Sequence, residues 1–311
     1  MSTLSPGRAE LHQAELRSLL GLYVAGLEMP TRLPTLRELG RKYGASASAV
    51  QAALAGLAQS GAVDIESRRH SGMVLRGRDV GALWLAARGG PIVIALPLPT
   101  GLRIHGLATA LKACLGKCGI DASLIFSRGS LRRLVALRSA RCHAVVMSTL
   151  GSDEACGSDD IIVLRLPVGS YGGAHRVYQR ELGAIPPLHV RVAIDRDSVD
   201  LKRLTELEFG DQDVEFIPAT FLEFLTLLGE GRADVAIADA DEVPAGLPAG
   251  VTSRPLSQRV RDAFGDSETR AAVVTRRDDA LSQAVIRECL GGATFISIQR
   301  EVLEGRRVPE Y

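Results

Sequence analysis

The chain has 311 residues, and 46% hydrophobic with only 4% aromatic residues is typical of a globular protein with aliphatic cores. This length exceeds one average domain, so we expect at least two compact units. The net charge of +1 excludes a uniformly basic or acidic chain, but residues 1–78 hold ten Lys and Arg against six Asp and Glu. A basic N-terminal part on an acidic remainder is typical of a phosphate-binding module joined to another domain, with chance asymmetry as the simpler alternative.

The N-terminal sequence and the cysteines indicate the compartment. The stretch MSTLSPGRAELHQ lacks a basic region followed by an apolar core, so it does not form a signal peptide. The longest apolar runs, such as 92–96, are far shorter than the roughly 20 residues that a membrane span needs. Five cysteines without the spacing of a disulfide framework fit a reducing compartment. We therefore expect a cytoplasmic protein with no membrane partner.

Residues 33–75 show the pattern of two helices followed by a hairpin. Thr35 and Glu38 form a T-x-x-E capping box, which predicts the start of the first helix. Gly44 can adopt the left-handed conformation that ends this helix, and Ser46 can cap the next one. Apolar and polar residues then alternate as in two short strands. The pattern predicts an α+β winged helix-turn-helix domain that binds DNA.

The segments around this pattern are predicted to support it. A helix over 11–27 carries apolar residues on one stripe and should pack beneath the two helices. Residues 79–90 are predicted to be a connector with a short helix around Trp84. We interpret that tryptophan as a packing anchor rather than a ligand contact. The DNA-binding domain is accordingly assigned to 1–78.

The same stretch resembles the DNA-binding domain of GntR-type regulators. The pattern of that family is matched at Leu33, Pro34, Thr35, Arg37, Leu39, Gly44, Ser46, Val50, Ala53, Leu54, Leu57, Gly61 and Gly72. The two recognition-helix arginines of the family correspond to Ala47 and Gln51, so its base contacts do not carry over. We expect a homodimer bound to a pseudo-palindromic operator in double-stranded DNA. The expected DNA contacts are Thr35, Arg37, Ser46, Ser48, Gln51, Arg68, Arg69, His70 and Gly72.

From residue 91 onward, apolar strands alternate with helices. Strands are predicted at 91–99, 121–126, 143–148, 161–167, 189–195, 213–218, 234–239, 271–275 and near 294–298. The stretch GSDEACGSDD at 151–160 is predicted to be a solvated loop, with a metal site as the alternative. Such alternation predicts a parallel or mixed sheet with helices on both faces. Two short series favour an α/β domain over 91–311 with two lobes and a cleft between them.

Three short motifs carry a second resemblance. They are Leu-Pro-Leu-Pro at 96–99, Gly-Leu-Ala-Thr at 106–109 and Arg128-Gly129. On these motifs the second part resembles the type 2 periplasmic-binding-protein fold, and the whole chain is similar to YhfZ-like regulators. His105 departs from the acidic residue expected at that position. The resemblance implies a GntR-like winged helix joined to a two-lobed domain that binds a small molecule.

Ligands of open α/β lobes bind beyond the carboxyl ends of the strands, where helix N-termini present N–H groups. Arg128 opposes the helix dipole there, so a bound anion explains it better, and a surface salt bridge is the equal alternative. Thr100, Ser130 and Thr220, taken singly, are more often helix caps than ligand contacts, so the inference rests on the whole set. The expected ligand-binding residues are Thr100, Gly101, Arg128, Gly129, Ser130, Ser148, Ser170, Tyr171, Thr220 and Asp239.

The sequence offers little support for catalysis. It contains no G-x-S-x-G motif, no Walker lysine loop and no H-E-x-x-H motif. GSYGG at 169–173 is predicted to be a flexible crossover between the lobes. We therefore expect no enzyme, cofactor or metal, but a ligand-responsive transcription regulator that senses a small anionic metabolite. Two alternatives stay open: an enzyme that acts on a small metabolite in the cleft and regulates itself through DNA binding, and a scaffold with a vestigial cleft.

Overall fold

The structure, a computed structural model, describes residues 6–68, 72–181, 189–243 and 246–311, with only the backbone for 6–12 and 68. The chain divides into two compact units, each assembled from separate stretches. Unit 1 comprises Met1–Ile92, Ala113–Ser123 and Arg277–Gly292. Unit 2 comprises Val93–Lys112, Leu124–Arg276 and Ala293–Tyr311.

The N-terminal part of unit 1 combines helices with a small sheet. Its elements are α1 (Pro6–Ala25), β1 (Thr31–Arg32), α2 (Leu36–Tyr43), α3 (Ala47–Gln59), β2 (Val63–Arg68), β3 (Gly72–Arg78) and α4 (Val80–Ala87). The strands pair antiparallel in the order β1-β3-β2.

The rest of the chain alternates strands and helices. The elements are β4 (Ile92–Leu96), α5 (Leu102–Lys117), β5 (Ala122–Phe126), α6 (Ser130–Arg138), β6 (Ala144–Ser148), α7 (Thr149–Ala155), β7 (Asp160–Arg165), β8 (His175–Arg180), β9 (Val190–Ile194), α8 (Val199–Phe209), β10 (Val214–Pro218), a 3-10 helix (Phe221–Glu223), α9 (Phe224–Gly229), β11 (Val235–Asp239), β12 (Val251–Pro255), α10 (Gln258–Phe264), β13 (Ala271–Arg276), α11 (Ala280–Leu290) and α12 (Ala293–Leu303).

Two mixed sheets organise this part. In the sheet β5-β4-β6-β13-β7, β4 runs parallel to β6, and β13 runs antiparallel to β6 and β7. In the sheet β10-β9-β11-β8-β12, β9 runs parallel to β10 and β11, and β8 runs antiparallel to β11 and β12. We call the residues of unit 2 around these sheets the first lobe and the second lobe. The predicted two-lobed α/β architecture is confirmed.

Local capping explains where α2 and α3 begin and end. The Thr35 N–H donates to Glu38 Oε2 at 2.8 Å, and the Glu38 N–H donates back to Thr35 Oγ1 at 3.3 Å. Gly44 has φ +65°, the left-handed conformation that glycine adopts without strain. Ser46 Oγ accepts from the Ala49 N–H at 3.1 Å. The predicted capping box, helix end and second cap are confirmed.

Unit 1 is held together around α1. The predicted stripe of α3 is buried at Val50, Leu54 and Leu57. The predicted connector contains α4, which packs against α1 and α11, and Trp84 within it is fully buried. Arg78 donates to three carbonyl groups at the C-terminal end of α1 and pairs with the carboxylate of a glutamate on α11 at 2.8 Å. Its cation therefore satisfies backbone groups that the end of α1 leaves open.

Other expectations about secondary structure are wrong. The strand expected near 294–298 is part of α12, because Phe295, Ile298 and Val302 are buried at the helical spacing of three and four. The loop expected over 151–160 contains α7, which begins where Ser148 Oγ accepts from a backbone N–H at 3.0 Å. Asp160 at the end of that stretch pairs with an arginine. Sequence reasoning also did not predict β8, β12 and α10.

Candidate functional site

The residues predicted to contact DNA lie mainly at the starts of α2 and α3 in unit 1. Arg37 is exposed in the first turn of α2, and Gln51 is exposed on the second turn of α3. Thr35 and Ser46 serve as helix caps. The hydroxyl groups of Ser46 and Ser48 lie 2.9 Å apart. Because the apolar stripe of α3 is buried, its polar groups are presented to solvent.

A groove with a volume of about 450 Å³ lies between the helices and the sheet of unit 1. Thr35, Gln51 and Gly72 line it, together with Arg32. Arg37 lies at a separate concavity. The structure thus brings together only part of the predicted set. Arg69, His70 and the side chain of Arg68 fall outside the described residues.

Unit 2 contains a small polar cavity between its lobes. Its volume is about 60 Å³, enough for about four to six water molecules. Of the predicted ligand contacts, the cavity is lined by Arg128, Gly129, Ser130, Tyr171 and Asp239. The other lining residues are Pro97, Leu98, Arg133, His175, Ser198, Asp200, Leu201, Phe221 and Glu242.

Arg128 is engaged by carboxylates of the second lobe. Its Nη1 lies 3.3 Å from Asp195 Oδ2, and its Nη2 lies 2.9 Å from Asp197 Oδ2. The ion-pair alternative is therefore the arrangement that the structure contains. The role of Arg128 in holding a ligand anion stays a prediction.

The other predicted ligand contacts mostly hold neighbouring residues. Ser130 Oγ accepts from the Val199 N–H at 3.0 Å, which joins α6 to the start of α8. Ser148 Oγ donates to Asp200 at 2.7 Å. Thr100 Oγ1 donates to the carboxyl of Glu242 at 2.6 Å. Gly101 lines an adjacent cavity of about 40 Å³. The Ser170 hydroxyl accepts a hydrogen bond from the Ala271 N–H, and Thr220 forms a capping box.

Arg133, which sequence reasoning missed, is the buried cation of the cavity. Its side chain lies on α6 and is 2% exposed. Its guanidinium donates to the carbonyl of Val146 at 3.0 Å, to the carbonyl of Ser127 at 2.7 Å and to the hydroxyl of Tyr171 at 3.2 Å. Within the described residues no carboxylate lies within 4.0 Å of it. No spacing pattern in the sequence pointed to its burial, since Arg133 lies between Arg132, which is exposed, and Leu134, which is buried.

Three carboxyl groups from the second lobe face the same cavity. Asp239 accepts from the Gly173 N–H at 3.0 and 2.9 Å, and Asp200 accepts from the Ser198 hydroxyl at 2.6 Å. Burial raises the pKa of the third, Glu242, to about 7. Among the residues that the structure describes, these three groups have no Lys, Arg or His partner within 4.0 Å.

Two further polar groups complete the lining. His175 is 8% exposed, and its Nδ1 is buried without a hydrogen-bond partner in the described part of the chain. Burial raises the pKa of Tyr171, against the influence of the nearby Arg133 cation. The Tyr171 phenol therefore stays protonated and can donate a hydrogen bond. The cavity thus offers a ligand both hydrogen-bond donors and hydrogen-bond acceptors.

The last two glycines of GSYGG at 169–173 lie where a side chain would not fit. A Cβ at Gly172 would lie 2.2 Å from Asp239 Oδ2, and one at Gly173 would lie 2.9 Å from Asp239 Oδ1. These two glycines let the crossing segment approach the carboxylate closely. The predicted crossover is therefore also a wall of the site.

Two features are absent from the described residues. They contain no group of three or more His, Cys, Asp or Glu side chains placed to hold a metal ion. None of their helices combines the length and apolar character that crossing a membrane requires.

Comparison with known proteins places the chain among relatives. The family model of the YhfZ C-terminal domain matches residues 79–311. The protein YhfZ of Escherichia coli strain K12 is 30% identical over 293 residues, which cover 94% of this chain and 95% of that protein.

Solved structures agree on the fold. The crystal structure of YhfZ from Shigella flexneri matches with a TM-score of 0.62 at 28% identity, covering 75% of this chain and 98% of that chain. The periplasmic aliphatic sulphonate binding protein SsuA of Escherichia coli matches with a TM-score of 0.51 at 16% identity, covering 70% of this chain and 75% of that chain. The second match shows the two-lobed α/β fold alone.

Proposed function

This chain belongs to the YhfZ family, and from that premise we propose that it is a transcription regulator that binds double-stranded DNA and responds to a small molecule. The proposal of a winged helix-turn-helix is supported by α2 and α3, which a tight turn joins and the hairpin β2–β3 follows. In such a motif the second helix reads the major groove with its N-terminal residues. Ser48 and Gln51 occupy that end of α3.

The observation that carries DNA binding is a set of exposed cations, two of which have only the longer-range influence of the Glu38 carboxylate. Arg32, Arg37 and Arg41 of unit 1 are exposed, and in the described structure no carboxylate forms an ion pair with any of them. Exposed cations that form no ion pair attract phosphate groups and release counter-ions on binding. The three arginines therefore support phosphate contacts at and beside the two helices.

The proposed regulator acts as a homodimer on a pseudo-palindromic operator. Two recognition helices on one face of the duplex would then be about 34 Å apart. Gln51 can pair with an adenine, while Ala47 and Ala49 offer no donors, so the wing and DNA shape supply much of the specificity.

The cavity of unit 2 supports the sensing of a small molecule with an anionic group. Arg133 is the proposed anchor, because Arg128 is already neutralised by Asp195 and Asp197. A ligand bound between the lobes stabilises their closed arrangement, since it contacts both only there. A coupling of about 1–3 kcal/mol between ligand and operator is ordinary for such proteins.

The test measures how binding of a short random-sequence duplex depends on salt, by fluorescence anisotropy with the full chain. Arg37→Ala should weaken binding and lower the slope of log affinity against log salt by about one. Arg232→Ala, which removes an exposed arginine of the second lobe, is the matched control and should change neither quantity. An unchanged slope for Arg37→Ala, or a wild-type chain that does not bind the duplex at low salt, contradicts the proposal.

A further inference from the structure

Arg133 is a buried cation without a counter-ion. Its three hydrogen-bond acceptors in the described structure are two carbonyl groups and a phenol, none of which carries a charge. A guanidinium has five N–H groups, so two of them are left over. Burying an unbalanced charge is costly unless an opposite charge is supplied. The cavity beside Arg133 is where an anionic group can supply it.

An excess of negative charge lies across the same cavity from Arg133. Asp239 and Asp200 are 8% and 4% exposed, and the donors that they face are backbone N–H and hydroxyl groups. These carboxylates and Arg133 do not pair with each other, since they lie more than 4.0 Å apart. A simple anion would bind Arg133 beside two unbalanced negative charges, and a simple cation would leave Arg133 unbalanced. A ligand that carries both charges places an opposite charge against each side.

The size of the cavity limits the ligand. A volume of about 60 Å³ corresponds to about four to six water molecules, the size of a molecule with a similar number of non-hydrogen atoms. Glycine, alanine, β-alanine and taurine are zwitterions close to that size. The unpartnered Nδ1 of His175 provides one more polar contact at the cavity wall.

We propose that the molecule sensed by this protein is a small zwitterion. Its acidic group binds Arg133 and the Tyr171 hydroxyl, and its ammonium group binds Asp239 and Asp200. The cation is on the first lobe and the carboxylates are on the second, so the ligand joins the two lobes by its own charges. The identification rests on the proposed function of the cavity as a sensory site.

Thermal unfolding of the full chain tests the ligand class. Glycine, alanine, β-alanine and taurine are compared with acetate, propionate and ethylamine, which keep the size and carry one charge. At least one zwitterion should raise the melting temperature in a concentration-dependent manner, and the singly charged molecules should not. The proposal is overturned if propionate or ethylamine stabilises the chain as much as alanine does. It is also overturned if none of the zwitterions stabilises it.

Variants test the assigned groups by titration calorimetry with the zwitterion that stabilises most. Asp239→Asn should weaken binding about 10- to 100-fold, because a hydrogen bond to a charged group is lost. Tyr171→Phe keeps the buried ring and should weaken binding about 2- to 10-fold, which covers the case that Asp239→Asn does not fold. Arg141→Gln removes an exposed arginine of the first lobe that does not line the cavity, and it should bind like the wild type. Wild-type affinity in both Asp239→Asn and Tyr171→Phe refutes the assignment.

The duplex measurement separates this inference from the proposed function. If a zwitterion stabilises the chain but the chain does not bind the duplex, the ligand class stands and the regulator proposal fails. If the duplex binds and the zwitterions do not, the ligand class fails and the DNA-binding proposal stands.

Discussion

Glu242 allows a direct measurement of the electrostatics of the cavity. Its carboxyl lines the cavity and accepts a hydrogen bond from Thr100 Oγ1 at 2.6 Å. Burial raises the pKa of Glu242 from 4.5 to about 7; the hydrogen bond from Thr100 opposes this rise, and the neighbouring Asp239 carboxylate adds to it. Between these two pH values the folded chain retains a proton that the unfolded chain releases.

The size and sign of the effect on stability follow from the difference between the folded and the unfolded pKa of Glu242. The gap between 4.5 and about 7 corresponds to about 3 kcal/mol, since one pKa unit is worth about 1.4 kcal/mol. Because the folded state binds more protons, its stability is highest below pH 4.5, decreases as the pH rises toward 7 and is constant above that. Glu242→Gln keeps the size and removes the charge. The quantity compared is the free energy of unfolding of the variant minus that of the wild type. From pH 4 to pH 8 this difference should shift in favour of the variant by up to about 3 kcal/mol.

Urea unfolding followed by circular dichroism between pH 4 and 8 measures this difference. The matched control is Glu230→Gln, an exposed carboxyl that pairs with an arginine on the surface of the second lobe. The control should retain the pH dependence of the wild type, whereas Glu242→Gln should flatten it between pH 5 and 7. A Glu242→Gln variant with the wild-type slope would refute the reasoning.

Three further predictions address stability and recognition. Burial raises the pKa of Asp234, but hydrogen bonds from two arginines outweigh it and lower this pKa to about 2. Its stabilisation is therefore present above about pH 4 and lost toward pH 2, and Asp234→Asn should cost about 2 kcal/mol at pH 7 in urea unfolding; equal stability at pH 7 contradicts this. Gly172→Ala places a Cβ 2.2 Å from Asp239 and should cost about 1–3 kcal/mol, whereas the control Gly116→Ala meets no atom within 4 Å and should not destabilise the chain. In site selection with the full chain, Gln51→Ala should remove the preference for one symmetric adenine, worth about 1–3 kcal/mol, and an unchanged motif would show that Gln51 reads no base.

The helix boundaries of the N-terminal part were predictable because they depend on local contacts. The capping box joins Thr35 to a residue three positions away, and Gly44 ends α2 through its own backbone conformation. The apolar stripe of α3 has a similar short range. Sequence spacing contains this information, because the interacting groups are neighbours in the chain.

The charges of the cavity were less predictable because their partners are distant in sequence. The sequence points to Arg128, but the carboxylates that neutralise it lie 67 and 69 positions away, on the other lobe. Arg133 has the character of a surface residue in the middle of a helix. Its burial against the segment that contains Tyr171 depends on how the chain crosses between the lobes. No spacing rule contains that information.

The last expected strand fails for a different reason. Residues 294–298 are rich in the β-branched and aromatic side chains that are typical of strands, but the window is too short to separate a period of two from one of 3.6. The next buried apolar residue, Val302, lies four positions after Ile298, which is the spacing of the helix α12.

The packing of α11 against α1 and α4 affects how the protein is made. About 190 residues separate α4 from α11, and at about 5–20 residues per second a ribosome needs roughly 10–40 s to add them. During that interval the nascent chain lacks the helix that covers one side of α1 and α4. Unit 1 is therefore completed only after α11 has been synthesised, and a chain truncated before residue 280 contains an unfinished unit. Translation through α11 thus becomes a condition for unit 1 to acquire its final form.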